Sequence, residues 1–305
     1  MSRSDHEDSS IARLMTAPLT VQSRTMAQWG LPPAGLLIMM SPCLGQCIFC
    51  AQPAVTHPPP TDWTQWARIR ELLAGNAQAG LKHLCIGGTE PTTHPDFDRA
   101  LQLAGQVGFD SIELMTSGLS LSNPGEAQRW RAAGIQTIAV PIYGASADVH
   151  NQVVGVDAYA RLMTGLNAAH AAGIQVRPHT LALRETLPGL SALAAMVTQR
   201  WHSPLCLAPA RPKDAVWNYT AQAPGLASVA QAIAEVPPDQ LTLTGWPSCL
   251  APERPRGAAQ VIDLYFRGQT RDFHTACEPC ATQQTCPGLV SALLTRDGAD
   301  GLRPM

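Results

Sequence analysis

The segment Ser41-Pro-Cys-Leu-Gly-Gln-Cys-Ile-Phe-Cys50 follows directly after an apolar run, residues 35–40, that predicts a β-strand. It places Cys43, Cys47 and Cys50 in one short loop. Three thiolates with this spacing can reach three corners of a 4Fe–4S cube if the loop wraps around it, and the fourth iron then has no protein thiolate. A zinc site and unligated core cysteines are the alternatives. The spacing favours the iron–sulfur cluster.

Beyond this loop, short apolar runs alternate with segments of helical spacing. Six runs are predicted strands: 35–40, 81–86, 111–116, 136–141, 174–180 and 204–208. This alternation predicts parallel βα units with right-handed crossovers. Six units form a partial barrel more readily than a closed eight-stranded one, so we predict a partial (βα)6 barrel; a doubly wound sheet remains open from the pattern. The cysteine loop would lie at the carboxyl ends of the strands, where parallel βα folds assemble their sites.

Composition and charge exclude several classes of protein. Of the 305 residues, 14% are charged and the formal net charge is −2, which gives no sign of a basic nucleic-acid-binding surface. The first ten residues are polar and lack the apolar core of a signal peptide, and run 35–40 is too short to span a bilayer. We therefore expect a cytoplasmic protein without membrane contact. Nine cysteines in such a chain favour metal ligation over disulfides.

The chain is expected to have three parts: an extended lead-in over 1–30, a barrel over 31–210, and a C-terminal metal region over 211–305. Proline becomes frequent after residue 210. Cys277-Glu-Pro-Cys280 and Cys286 follow, with Cys249 upstream. A C-x2-C turn brings two sulfurs to one metal at low backbone cost, and two further cysteines complete four ligands for either an iron–sulfur cluster or a structural zinc ion.

Five segments together resemble the radical SAM superfamily, and within it the molybdenum-cofactor and peptide-maturase branches. The resemblance covers about residues 33–210. The segments are the cysteine loop, Leu84-Cys-Ile-Gly-Gly-Thr-Glu-Pro91, Met115-Thr-Ser-Gly118, Val140-Pro-Ile-Tyr-Gly144 with the following 147–155, and Gly165-Leu-Asn-Ala-Ala-His-Ala-Ala-Gly-Ile-Gln-Val-Arg177. The second matches a Gly-Gly-Glu-Pro pattern with Thr89 inserted, and in the third Ser117 replaces an asparagine.

The resemblance implies S-adenosylmethionine (SAM) as a cofactor. Cys43, Cys47 and Cys50 would ligate the catalytic cluster, whose open iron binds SAM and splits it reductively to a 5′-deoxyadenosyl radical, which then takes hydrogen from a substrate. The SAM-binding residues implied by the matching positions are Phe49, Gly87, Gly88, Glu90 and Ser117. A flavodoxin- or ferredoxin-type reductant is implied as a partner, because the cluster must reach a very low potential.

The C-terminal cysteines resemble the SPASM and twitch extensions of radical SAM maturases, although seven cysteines would be expected for SPASM and only four are present. The resemblance therefore implies one second Fe–S cluster, held by Cys249, Cys277, Cys280 and Cys286. It also favours peptide or protein maturation, with a small metabolite or cofactor precursor as the alternative substrate. A zinc-binding module without catalysis and an RNA-modifying enzyme are the hypotheses from other classes.

Four residues of the predicted strands, two cysteines and two cationic residues, are not assigned to either cluster or to SAM. Cys85 and Cys206 are read as small apolar core residues rather than ligands. Arg177 and His179 are expected on opposite faces of the fifth strand, so that one of them faces the barrel interior, where a cation could hold a carboxylate. A structural polar group is the equal alternative.

Overall fold

The computed structural model describes residues 34–50, 64–210, 223–253, 271–283 and 286–303. Its centre is a seven-stranded sheet in which every neighbouring pair is parallel and the strand order follows the sequence. The strands are β1 (Ala34–Met39), β2 (His83–Gly88), β3 (Ser111–Met115), β4 (Ile135–Pro141), β5 (Gln175–Ala182), β6 (Leu205–Pro209) and β7 (Leu241–Leu243). A short antiparallel pair, β8 (Arg271–Asp272) and β9 (Leu289–Val290), is separate from this sheet.

Helices cross between the strands and cover the outer face of the sheet. They are α1 (Trp66–Gln78), α2 (Phe97–Gln106), α3 (Glu126–Ala132), α4 (Ala147–Val154), α5 (Tyr159–Ala171), α6 (Leu190–Trp201), α7 (Leu226–Ala234) and α8 (Ser291–Asp297). The main core lies between these helices and the strand residues that point outward, such as Leu37, Leu84 and Leu114, each fully buried. Strands buried on both faces read as continuous apolar runs, which is why the sequence marks them clearly.

All six predicted strands are confirmed, with ends shifted by at most two residues. The sequential strand order decides against a doubly wound sheet, because that fold reverses its order at a switch point. Within the described residues β1 and β7 do not pair, so the sheet is an open, partial barrel. The seventh strand was not predicted: β7 is only three residues long, pairs with β6, and extends the sheet into the part of the chain assigned to the C-terminal metal region.

The inner, concave face of the sheet carries the other set of strand residues. Leu36 and Cys85 form a small apolar cluster there, apart from the main core. The predicted lead-in over 1–30 lies outside the described residues. In the described part of the chain, no helix is both long enough and apolar enough to cross a membrane.

Candidate functional site

The cysteine loop is held to the barrel from two sides. Its start is fixed to the end of β2, where the Ser41 backbone NH donates to Thr89 Oγ1 over 2.8 Å and the Ser41 hydroxyl donates to the Glu90 carbonyl over 2.5 Å. Its middle is fixed to the last turn of α4, whose carbonyls at Val153 and Val154 accept from the backbone NH groups of Ile48 (2.9 Å) and Gln46 (2.8 Å). The end of a helix has free carbonyls, so it can satisfy the NH groups of an irregular loop.

The helix end is shaped to receive the loop. Gly155 follows α4 with φ of 70°, and a Cβ at this position would lie 2.5 Å from the Gln46 carbonyl oxygen. A larger residue would therefore push the loop away from the helix. The left-handed backbone and the close approach both require glycine here.

Two thiols of the loop, those of Cys43 and Cys47, lie close together, and Cys50 is near enough to raise the pKa of both. A Cβ on Gly45 would lie 3.6 Å from Cys47 Sγ and 3.9 Å from Cys43 Sγ, so both sulfurs converge beside a residue without a side chain. Burial, then Glu90 and Cys50, raise the pKa of Cys43 to about 11, although the Gly45 backbone NH opposes this. Burial and the two neighbouring thiols raise the pKa of Cys47 to about 12. This donor set fits an iron–sulfur cluster, because a metal is what displaces protons from crowded, buried thiols.

The Glu90 carboxylate joins the loops that follow β2 and β3. It is fully buried and accepts from the Thr116 hydroxyl and the Ser117 backbone NH, both over 2.7 Å. It also accepts from the Thr92 hydroxyl over 2.7 Å. Thr89 instead bonds the Ser41 backbone. The structure thus gives both side chains partners within the protein, and a direct contact between Glu90 and SAM stays a prediction.

The glycines and the serine predicted for SAM lie at the same edge. Gly88 ends β2 with φ of 144°, and a Cβ there would lie 1.9 Å from the Met39 carbonyl oxygen, so only glycine permits the pairing of β1 with β2. Gly87 is buried one residue earlier. Ser117 Oγ is buried and has no hydrogen-bond partner among the described residues. A buried hydroxyl without a hydrogen-bond partner at the carboxyl edge of the sheet is typical of a site that binds a polar ligand.

An aromatic group lies behind the loop. Phe49 packs edge-to-face against Tyr143, with ring centroids 5.3 Å apart, and Tyr143 stacks on His150 at 5.9 Å. The Tyr143 backbone NH donates to His150 Nδ1 over 3.2 Å. Burial lowers the pKa of His150 to about 4, so this imidazole is neutral. The Phe49 ring is therefore held in place by its packing against Tyr143, which His150 supports.

The four C-terminal cysteines line one cavity. Cys249, Cys277, Cys280 and Cys286 surround about 390 Å³ of empty space, part of it open to solvent, together with His274 and other residues. Cys249 is buried, and its pKa is raised first by burial and then by the other three thiols. The structure thus brings together the four residues that the spacing suggested, and Cys249 belongs to the group.

Some residues around the site were not singled out by the sequence. Thr92 and Thr116, which hold Glu90, are ordinary hydroxyl residues in the loops that follow β2 and β3. The anchoring of the loop by α4 carbonyls could not be seen, because backbone contacts leave no residue-type signal. Arg177 and His179 were predicted on opposite faces of β5, and this was wrong: residues two apart in a strand share a face.

Fold and site together define a class: proteins with a parallel partial barrel and a three-cysteine loop at the carboxyl edge of its strands. Comparison with known proteins gives the family. Residues 37–189 match the radical SAM superfamily, so the chain belongs to the radical SAM superfamily. The family implies a 4Fe–4S cluster and SAM as cofactors.

Among curated relatives, a GTP 3′,8-cyclase of Psychromonas ingrahamii is 25% identical over 134 residues, which are 44% of this chain and 39% of the relative. An AdoMet-dependent heme synthase of Methanosarcina barkeri is 26% identical over 146 residues, 48% of this chain and 41% of the relative. The matches thus span about two fifths of these relatives' length.

Among solved structures, SuiB of Streptococcus suis bound to the precursor peptide SuiA superposes with a TM-score of 0.56. It is 14% identical, and the match covers 71% of this chain and 50% of SuiB. At this identity the likeness shows the fold.

Proposed function

We propose that this enzyme cleaves SAM reductively at a 4Fe–4S cluster held by Cys43, Cys47 and Cys50. The observation that carries the proposal is that Cys43 Sγ and Cys47 Sγ lie together beside Gly45, with Cys50 near enough to raise the pKa of both thiols. Ser117, whose buried hydroxyl has no partner among the described residues, follows β3 at the same carboxyl edge of the sheet. Cys43, Cys47 and Cys50 would hold the cluster, which would supply one-electron reduction of the SAM sulfonium and so the radical chemistry that takes hydrogen from a substrate.

The protein's own residues bind and orient SAM in this proposal. Phe49, fixed by Tyr143, lies near the adenine, and Ser117 Oγ gives a hydrogen bond to the nucleoside. Gly87 and Gly88 let the strand backbone approach the methionine part. Glu90 holds the β2 and β3 loops in register and keeps negative charge near the SAM ammonium.

A second Fe–S cluster in the C-terminal cavity is part of the proposal. Four thiols around one cavity support it, and four thiolates also suit zinc. The resemblance to maturase extensions favours iron and sulfide. With four protein ligands this cluster would serve electron transfer or structure rather than bind substrate directly.

For the substrate, we propose a peptide or protein side chain. The SuiB structure, whose barrel this chain resembles, contains a precursor peptide. A small molecule is the second candidate, because several curated relatives are named GTP 3′,8-cyclase. The proposed electron donor is a flavodoxin- or ferredoxin-type protein, since such donors reach low potentials.

The test is anaerobic incubation of reconstituted enzyme with SAM and dithionite. We expect iron and sulfide in the protein and 5′-deoxyadenosine in the product. Zinc alone, with no 5′-deoxyadenosine, would favour the non-catalytic module instead. Candidate peptides and nucleotides carrying deuterium then separate the two substrate classes, because only the true substrate transfers deuterium to 5′-deoxyadenosine.

A further inference from the structure

The amino-terminal half of the barrel interior holds a second group of ligating side chains, far along the strands from the cysteine loop. His83 is the first residue of β2 and pairs in register with Ser111, the first residue of β3, and Cys85 pairs with Glu113. A nitrogen of His83, Cys85 Sγ and a carboxylate oxygen of Glu113 all lie within 4.8 Å of one another. The parallel register of two strands therefore builds the group.

Only one of the two carboxylate oxygens of Glu113 has a partner among the described residues. Its side chain is fully buried, and Oε2 accepts from Arg177 over 2.9 Å. Oε1 has no hydrogen-bond partner among the described residues. A buried carboxylate with one unsatisfied oxygen is costly, which indicates that something else completes its environment.

His83 is oriented as metal-bound histidines usually are. Its Nδ1 lies 2.5 Å from the Ser111 hydroxyl, which leaves Nε2 directed toward Glu113, 3.8 Å from Oε2. Histidine ligands commonly use the second ring nitrogen for such an outer hydrogen bond, which fixes the ring. The His83 side chain is 21% exposed, so an ion can enter from the rim of the barrel.

We propose that His83, Cys85 and Glu113 bind one divalent transition-metal ion of the Zn²⁺ type. The sulfur, nitrogen and oxygen donor set suits zinc and disfavours magnesium and calcium, which prefer oxygen ligands alone. Arg177 bonds Oε2 of the carboxylate, and Oε1 is the oxygen without a partner among the described residues. Three protein ligands leave a fourth position of the tetrahedron open to water or another ligand. Cys85 is buried in a small apolar cluster, as predicted for a core residue. The proposal adds a role as a ligand, because its neighbours in the group are a histidine and a carboxylate.

The test uses anaerobically reconstituted holoenzyme, loaded with one equivalent of Zn²⁺ and passed through a desalting column. X-ray absorption at the zinc edge reads only zinc, so the iron does not interfere. We expect one zinc per chain with a single sulfur at about 2.3 Å and nitrogen or oxygen at about 2.0–2.1 Å. Zinc with four sulfurs, or none retained, overturns the proposal; four sulfurs would mean that the ion had entered the C-terminal cysteines.

Variants locate the ion. His83→Ala, at the partly exposed rim, should weaken zinc binding by more than about 100-fold, because His83 is proposed to bind the ion directly. Ser111→Ala should weaken it by about 10-fold, because Ser111 only hydrogen-bonds His83. Cys85→Ser should remove the sulfur signal. Cys206→Ser, a buried cysteine on β6, is the matched control and should retain it. Unchanged affinity in His83→Ala with full iron content would refute the site, and 5′-deoxyadenosine formation, measured in parallel, tests the proposed function separately.

Discussion

The two cysteine groups of this chain have similar ligand chemistry and different support. Cys43, Cys47 and Cys50 lie in a loop fixed by the end of β2 and by the last turn of α4. The C-terminal group lies among two-residue strands and short 3₁₀ turns. There, Cys277, Cys280 and Cys286 are all partly exposed, and Cys249 alone is buried.

The difference shows what holds each cysteine group in position. The barrel fixes the first loop through hydrogen bonds to Thr89 and Glu90, which follow β2, and to the last turn of α4. The second group buries little, so the proposed metal would contribute much of its folding energy, as in small metal-bound modules. Asp297 and Arg296 of α8 bond the Leu226 backbone NH (2.9 Å) and the Ala223 carbonyl (2.8 Å) at the start of α7, the helix that precedes β7.

The largest expected effect is at the first group. Cys47→Ala removes one of the three proposed cluster ligands and should lower 5′-deoxyadenosine formation by more than about 1,000-fold. The reason is that the side chains of the protein cannot reduce SAM once the cluster is lost. Cys206→Ser, in the sheet but outside both groups, should keep the activity. Liquid chromatography of the products measures both. Substantial 5′-deoxyadenosine from Cys47→Ala would contradict the assignment.

At the second group, Cys280→Ala should reduce iron from about eight to about four atoms per chain, one cube's worth. SAM cleavage without substrate should persist, because the first loop is held independently. Limited proteolysis should show faster cutting around Cys277 and Cys280, because the proposed metal would stabilise this region. Loss of all iron from Cys280→Ala would show that the two groups are not separate.

Glu90→Gln separates positioning from direct binding. The amide keeps the shape of the side chain but loses the charge that strengthens four hydrogen bonds. We therefore expect a loss of about 1–2 kcal/mol in the free energy of unfolding and weaker SAM binding. Urea unfolding and SAM titration measure these. The control is Glu126→Gln, which lies on α3 and bonds Trp130 and Arg129. Weaker SAM binding with unchanged stability would instead support a direct contact.

The smallest expected effect is a loss of folding stability at acidic pH. The pKa of His150 is lowered by burial to about 4, so the unfolded chain, with a histidine pKa near 6.5, binds more protons between these values. Stability is therefore full above about pH 6.5 and falls as pH drops toward 4. From pH 7.5 to 5.5, His150 should contribute a loss of about 1 kcal/mol.

His179 is a second histidine of this kind. Burial lowers the pKa of His179 to about 3, so it adds a loss of the same sign over the same pH range. His150→Gln should therefore show a shallower fall in stability, which urea unfolding at the two pH values measures. An unchanged slope would show that His150 is protonated without penalty.

Much of the fold could be predicted because its signals are local. Continuous apolar runs revealed six strands, whereas β7, with three residues, is too short to form a pattern. Cysteine spacing likewise predicted which cysteines lie near one another in each group.

What the sequence could not give depends on contacts between distant segments. The register that places His83 and Cys85 beside Ser111 and Glu113 joins strands 28 residues apart, which no short pattern encodes. The partners of Glu90 are backbone groups and common hydroxyls, so residue type alone gave the carboxylate but not what it holds. The face of β5 that carries both Arg177 and His179 was predictable from strand geometry and was misjudged.

The most direct test of the central claim is electron–nuclear double resonance on reduced enzyme mixed with SAM labelled at its carboxylate and amino group. The claim is that a three-thiol loop leaves one iron open at the mouth of the barrel. It predicts magnetic coupling from both labelled groups to the cluster, retained when Cys277, Cys280 and Cys286 are replaced by alanine. A cluster signal that SAM does not change would contradict it.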